Sequence, residues 1–251
     1  TLTPYQPVRN TPIPTYTPTP TATATPTATA TPTATTTPTA TVTVTVTPTE
    51  VPTLTAVAVL PPGGLPERAS VTGITGYEQT LPLSCEARSA VDWAGYFGVT
   101  IGEMDFQYQL PSTGNPNTGF VGDPHDERGG TPPNAYGVHA PPVAALLRDY
   151  GLNAQAVSDW DWDSVRREIA SGQPVIAWVI GNAWPGYHGR RYTAPDGETL
   201  TVAAFEHTVI ISAYTPHSVT LVDNNLVYII PLDQFLDSWA VLENMVVYLN
   251  D

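Results

Sequence analysis

The chain has 251 residues, with 23 Asp or Glu against 9 Lys or Arg, for a formal net charge of −14. Every cation is an arginine, so there is no basic patch to follow a phosphate backbone, and nucleic acid is excluded as an expected partner. No apolar run approaches the ~20 residues of a membrane-spanning helix; the longest are Ala56 to Leu60 and Val175 to Ile180. Membrane insertion by the chain as given is therefore not expected.

Residues 1–60 are a low-complexity stalk of Thr, Pro, Ala and Val with repeating Thr-Pro-Thr-Ala units. Such a segment buries too little apolar surface to offset its ordering entropy and is expected to be disordered. Its prolines favour an extended coil at ~3.1 Å per residue, a reach on the order of 150 Å. Thr41 to Thr47 alternate Thr and Val as a strand would, but without a partner an extended spacer is the expectation. Arg9 and Glu50 cancel, so the net charge belongs to the chain beyond the stalk. A linker is expected over 61–72, opening on the breaker cluster Pro61-Pro62-Gly63-Gly64-Leu65-Pro66. Residues 73–251 then form one domain, long enough for a core.

A helix is expected from Ser84, with Ser84 as N-cap, Glu86 in the first turn and Ala87, Ala90, Val91, Ala94 and Phe97 at helical spacing; Gly98 ends it. A loop-rich section runs from about Leu110 to Pro142. A second helix fits Pro141 to Tyr150 and a third Trp162 to Ser171, capped by Asp161 and stopped by Gly172. Strands are expected over Pro174 to Ile180, Glu206 to Tyr214, Ser218 to Asp223, Val227 to Pro231 and Met245 to Leu249. Helices first and antiparallel strands after indicate an α+β domain.

Cys85 is the single cysteine and cannot form an intramolecular disulfide. A thiol attacks a carbonyl well only as thiolate, so its ordinary pKa of ~8.5 must fall. The N-terminus of the expected helix and a protonated His207 would both lower it. His207 sits in an apolar strand, and Asp223 closes the next. Thr215-Pro216-His217 folds the two together, and matching parity about Thr215 puts both side chains on one face. Asp223 would then fix the imidazole tautomer. Gln79 would offer its amide N–H, with the Cys85 backbone N–H, to an oxyanion.

At these residues the chain resembles the papain-like cysteine peptidases. More narrowly it resembles the peptidase family C39-like group, bacterial enzymes related to those that cut double-glycine leaders from bacteriocins. The resemblance rests on Gln79 through Ser89, on Gly119-Phe120-Val121-Gly122-Asp123-Pro124 and Tyr136-Gly137-Val138-His139, on Gly172-Gln173-Pro174-Val175, and on Glu206 through Ile211. It implies a papain-like fold in which a helix carrying the cysteine packs on an antiparallel sheet carrying histidine and acid. It also implies Cys85 as nucleophile, His207 as base and acid, Asp223 as orienter and Gln79 as oxyanion donor. Three departures stand out. Ser84 replaces a glycine, Asn224-Asn225 follow the acid and are alternative orienters, and no transporter segment is present.

Asp159, Asp161 and Asp163 alternate as in a calcium loop, but Ser164 and Ala170 stand where glycine and glutamate are needed, so helix capping is expected instead. His125, His139, His188 and His217 lack metal-ligand spacing, so no metal and no cofactor is expected. Trp160, Trp162, Trp178, Trp184 and Trp239 read as core or rim, with Trp184-Pro185-Gly186-Tyr187 placed to line a cleft. The loop Asn115 to Thr131 is either a lid or plain surface. The expectation is an extracellular or cell-surface bacterial cysteine peptidase acting on a peptide or protein, its N-terminal signal or anchor outside this chain. The alternatives are a silent binding or adhesion module on the same scaffold and a transglutaminase-like acyl-transferring enzyme.

Overall fold

A computed structural model of the chain describes residues 64–250; the expected stalk and the Thr41 to Thr47 segment lie outside them. In chain order the elements are β1 (Ala69–Ser70), α1 (Cys85–Tyr96), α2 (Glu103–Gln109), α3 (Ala140–Asp149), β2 (Ala154–Val157), α4 (Trp162–Ser171), β3 (Val175–Ile180), β4 (Arg190–Thr193), β5 (Thr199–Val202), β6 (Glu206–Tyr214), β7 (Ser218–Asp223), β8 (Leu226–Pro231), α5 (Leu232–Ala240) and β9 (Val246–Leu249). This is the expected α+β architecture. The main sheet runs β2-β9-β3-β6-β7-β8, with β1 paired to the end of β6 and β4-β5 forming a separate hairpin. All of these pairings are antiparallel.

Helices cover both faces of the sheet. Ile176, Trp178 and Ile180 of β3, with Ile210 and Val222, pack against Ala87, Ala90, Val91, Trp93 and Ala94 of α1 and Val143, Ala144 and Leu147 of α3. The alternate residues Val175, Ala177, Val179, Val209, Ile211 and Leu221 pack against Val165 and Ile169 of α4 and Phe235 and Trp239 of α5. Period-two alternation thus feeds two cores, which is why β3 reads as an unbroken apolar run. Trp93 is fully buried and its indole N–H donates to the Pro174 carbonyl at 2.7 Å, tying α1 to the entry of β3. Truncating such a side chain costs on the order of 3–5 kcal/mol.

The three expected helices and the five expected strands are present within one or two residues of their expected ends. Three features differ. Residues 66–71, expected in the linker, are bonded into the domain: Val71 N–H donates to Ser212 O at 2.7 Å, and the Tyr214 hydroxyl to Pro66 O at 2.8 Å. The elements α2, α5, β2 and the β4-β5 hairpin are additions to the expected set. Ser84 sits at the N-cap position of α1, but its hydroxyl does not cap the helix; it donates to Glu103 Oε1 at 2.6 Å and accepts from Leu81 N–H at 3.0 Å. The capping reading does hold at Asp161, which accepts from Ser164 N–H at 2.8 Å, while Asp163 pairs with Arg166 at 2.7 Å.

The β6-β7 hairpin contains the detail that positions the site. At its turn Ala213 faces Thr220 and Tyr214 faces Val219, a register centred beyond Thr215. Continued unbroken, that register would place His207 and Asp223 on opposite faces. A bulge at Ser212 adds one residue to β6, so that Ile211 faces Leu221 and Ile210 faces Val222. The shift restores the parity, and His207 and Asp223 share a face.

Candidate active site

Three segments meet at the sheet end where β6 begins and β3 and β7 finish. The first is the loop 76–84 leading into α1. Glu103, buried at the start of α2, holds it by accepting from Thr80 N–H at 2.8 Å, Thr80 Oγ1 at 2.7 Å, Ser84 Oγ at 2.6 Å and Arg88 at 3.3 Å. The second is the pair of strands. The third is the loop 119–137, pinned where Leu83 N–H donates to Pro124 O at 3.1 Å. A methyl at Gly129 would lie 2.5 Å from the Phe205 ring, so this loop lies directly over the start of β6. Part of the Asn115 to Thr131 loop, read as either a lid or plain surface, thus lies against the residue that precedes β6.

His207 Nε2 and Asp223 Oδ1 are 2.8 Å apart, and both side chains are buried. Since an ionised carboxylate only accepts, Nε2 carries the proton and Nδ1 is the free nitrogen. Asp223 takes three further hydrogen bonds: from Asn182 Nδ2 at 2.6 Å and the Tyr228 hydroxyl at 2.9 Å on Oδ2, and from Asn224 Nδ2 at 3.0 Å on Oδ1. Burial alone would raise its carboxyl pKa. The bond and charge of His207, then Tyr228 and Asn182, outweigh burial and hold it below the usual range. Asn224, an alternative orienter, instead accepts from Gln79 N–H at 3.0 Å, so Asp223 is the residue bonded to the imidazole.

Cys85 occupies the first position of α1, where its backbone N–H has no acceptor within the helix. Its thiol donates to Glu86 Oε2 at 3.2 Å, and no hydrogen bond joins it to His207 among the described residues. The expected lowering of the thiol pKa is reversed: burial, then the charges of Glu86 and Glu206, push it well up. Glu86, in the first turn as expected, is buried and accepts from Val138 N–H at 2.6 Å. Burial raises its carboxyl, partly opposed by that N–H. Glu206 alternates with His207 onto the α1 side of β6; burial, then Glu86, raises it well above the usual range.

Gln79 directs its amide nitrogen to the carbonyls of Leu81, at 2.7 Å, and Pro82, at 3.0 Å. Service as an oxyanion donor would need one of these released. A recess of about 310 Å³ opens beside His207, lined by Arg128, Gly181, Asn182, Trp184, Phe205 and Glu206. Trp184 packs on Phe205 and Tyr187 with ring centroids 5.6 and 5.9 Å apart, so the expected cleft-lining role of this segment is met by Trp184. Asn182, Tyr228 and Glu206 are parts of the site that the sequence does not single out. A polar residue after the glycine that ends the buried β3 strand is the available signal for Asn182.

Helices α1 to α5 include none long and apolar enough to cross a membrane. Residues 71–247 match the sequence model described as the Peptidase_C39 like family. A crystal structure described as a C39-like peptidase from Bacillus anthracis is 21% identical, covering 73% of this chain and 98% of that one, with a TM-score of 0.64. A double glycine motif protease from an AMS/PCAT transporter, in complex with its leader peptide, is 13% identical over 73% of this chain and 99% of its own, TM-score 0.43. The peptidase domain of Streptococcus ComA, a bi-functional ABC transporter in a quorum-sensing pathway, is 10% identical over 70% and 98%, TM-score 0.43. No curated protein sequence matches the chain. The matched span takes in α1, its cysteine and the histidine strand together, and the chain belongs to the Peptidase C39 like family: by family and fold it is a cysteine peptidase of the C39-like kind.

Proposed function

We propose that the chain hydrolyses peptide bonds through a Cys85 thioester, with His207 as base and acid, Asp223 as orienter, and the Cys85 backbone N–H with Gln79 as oxyanion donors. The observation that carries this reading is the buried His207–Asp223 pair, its acid held by Asn182, Tyr228 and Asn224. So many bonds on one carboxylate serve to fix an imidazole's tautomer and angle, at the sheet end where α1 begins.

In the reaction the thiol leaves Glu86 and gives its proton to His207 Nδ1. The sulfur attacks the carbonyl carbon, the C–N bond breaks, and the imidazolium returns the proton to the departing amine. Water then attacks the thioester, His207 takes its proton, and the thiolate leaves with the acid product free. The Trp184–Phe205 recess supplies an apolar wall for a substrate side chain. The Thr/Pro-rich composition of residues 1–60 supports an extracellular or cell-surface setting.

A silent binding module on the same scaffold is the second reading, and the thiol's bond to Glu86 favours it. Intact mass after treatment with a peptidyl haloketone, in the presence of chelator, separates the two. The peptidase reading expects one adduct on Cys85, its loss in His207→Ala, and cleavage of a mixed-sequence peptide library that stops in Cys85→Ala. A folded wild type that takes no label and cuts nothing would leave only the binding module.

A further inference from the structure

The Cys85 Sγ, one oxygen of Glu86 and one of Glu206 all lie within 4.8 Å of one another, and all three residues are buried. Glu206 is 8% exposed, and neither of its carboxylate oxygens has a hydrogen-bond partner. Two buried carboxylates brought together with four oxygens and few donors are costly unless something positive joins them. The backbone makes room for them: a Cβ at Gly137 would collide with Glu86 Oε1 and lie 2.9 Å from Glu206 Oε2. The pocket has been kept clear of side chain where the oxygens converge.

We propose that Cys85, Glu86 and Glu206 form a binding site for a divalent cation of the zinc class, which ties up the nucleophile and holds the peptidase latent. A thiolate with two carboxylate oxygens suits a borderline-soft ion such as Zn²⁺ and disfavours Ca²⁺ or Mg²⁺, which take oxygen only. Zinc bonds of ~2.0–2.3 Å require the three atoms to draw together by small side-chain rotations. Three protein ligands leave a fourth position for water. Binding replaces the thiol proton by the metal, so one proton per site is released from Cys85, with any proton held by the carboxyls. The bound thiolate can no longer reach His207 or a carbonyl carbon. That consequence rests on the peptidase reading; the metal site does not.

The test uses the full chain, stripped with chelator and titrated with Zn²⁺ against a chromophoric competitor. One tight equivalent is expected, weakened at least roughly tenfold, about 1.4 kcal/mol, in Glu206→Gln and in Glu206→Ala, and lost in Cys85→Ala. Co²⁺ loading is expected to give a thiolate-to-metal charge-transfer band that Cys85→Ser removes. Circular dichroism melts of each variant separate loss of binding from loss of fold. The exposed His125–Asp123 pair is the competing surface site, and His125→Ala is expected to leave binding unchanged. Absence of a stoichiometric site, or a site lost in His125→Ala and kept in Glu206→Gln, would overturn the proposal. Haloketone labelling of the metal-free protein fails only if the peptidase reading fails, so the two ideas fall separately.

Discussion

Acid should weaken this domain through one buried histidine. His139, 1% exposed at the start of α3, sits between Asn117 Oδ1, 2.7 Å from Nδ1, and the Tyr136 hydroxyl, 3.0 Å from Nε2. The amide oxygen can only accept, so Nδ1 carries the proton and Nε2 accepts from Tyr136; a second proton would break that bond inside the protein. Burial lowers the pKa of His139 to about 3. Its unfolded value is ~6.5, so between these two values the unfolded chain binds the extra proton and the folded chain does not. Stability from this group is therefore complete above pH ~6.5 and falls as the pH drops; by pH 5 the loss is about 2 kcal/mol. Glu86 and Glu206, with raised carboxyls, push the other way, so the measurement must be a difference. Urea unfolding of wild type and His139→Gln at pH 7 and pH 5 provides it, because glutamine can make both hydrogen bonds without titrating. The wild type should lose about 2 kcal/mol more than the variant over that step. Parallel losses in the two proteins, or an NMR titration of His139 near pH 6, would refute the reasoning.

The same geometry sets further outcomes. Tyr228→Phe and Asn182→Ala each remove one bond to the Asp223 carboxylate, worth about 1.5–3 kcal/mol for a charged acceptor. On the proposed mechanism both lower kcat by roughly tenfold or more with little change in KM, read from steady-state cleavage of a peptide found in the library screen. A change confined to KM would place these residues in binding instead. Glu103→Gln disturbs the carboxylate that gathers Thr80, Ser84 and Arg88, and should cost about 2 kcal/mol in thermal or urea unfolding. An unchanged melting temperature would show that the loop before Cys85 is held by other contacts. Trp184→Ala should raise KM and leave the haloketone-reactive cysteine intact; an unchanged KM across several peptides would remove the recess from substrate binding.

Legibility in the sequence tracks the length and isolation of each signal. Helix α4 can be read to its ends because Asp161 and Gly172 punctuate it on both sides. The fully buried β3 announces itself as a continuous apolar run. The seven-residue α2 buries only Glu103, Phe106 and Gln107, too few positions to show a helical period. Helix α5 comes after β8 with no breaker but Pro231, and its Phe235–Trp239 spacing is the cue available. The apolar face of the β4-β5 hairpin is only Tyr192, Leu200 and Val202, and β4 carries exposed arginines, so the alternating signal is too short to mark it. Within the site, residue types and order point to His207 and Asp223, whereas the direction of the Cys85 thiol is out of reach. Its surroundings come from Glu206 and Val138, far away in the chain, and helix position alone predicts the opposite electrostatic effect.

The bulge at Ser212 changes what the distance between histidine and acid means. A hairpin converts residue counts into faces, and one unpaired residue reverses that conversion for everything beyond it. Two chains with the same residues around His207 and around Asp223, differing by a single deletion between them, would present the imidazole to different neighbours. The intervening segment should thus tolerate exchanges of side chain far better than changes of length. A graft of this pair onto another hairpin must carry the bulge with it, since the two side chains alone do not specify that they meet.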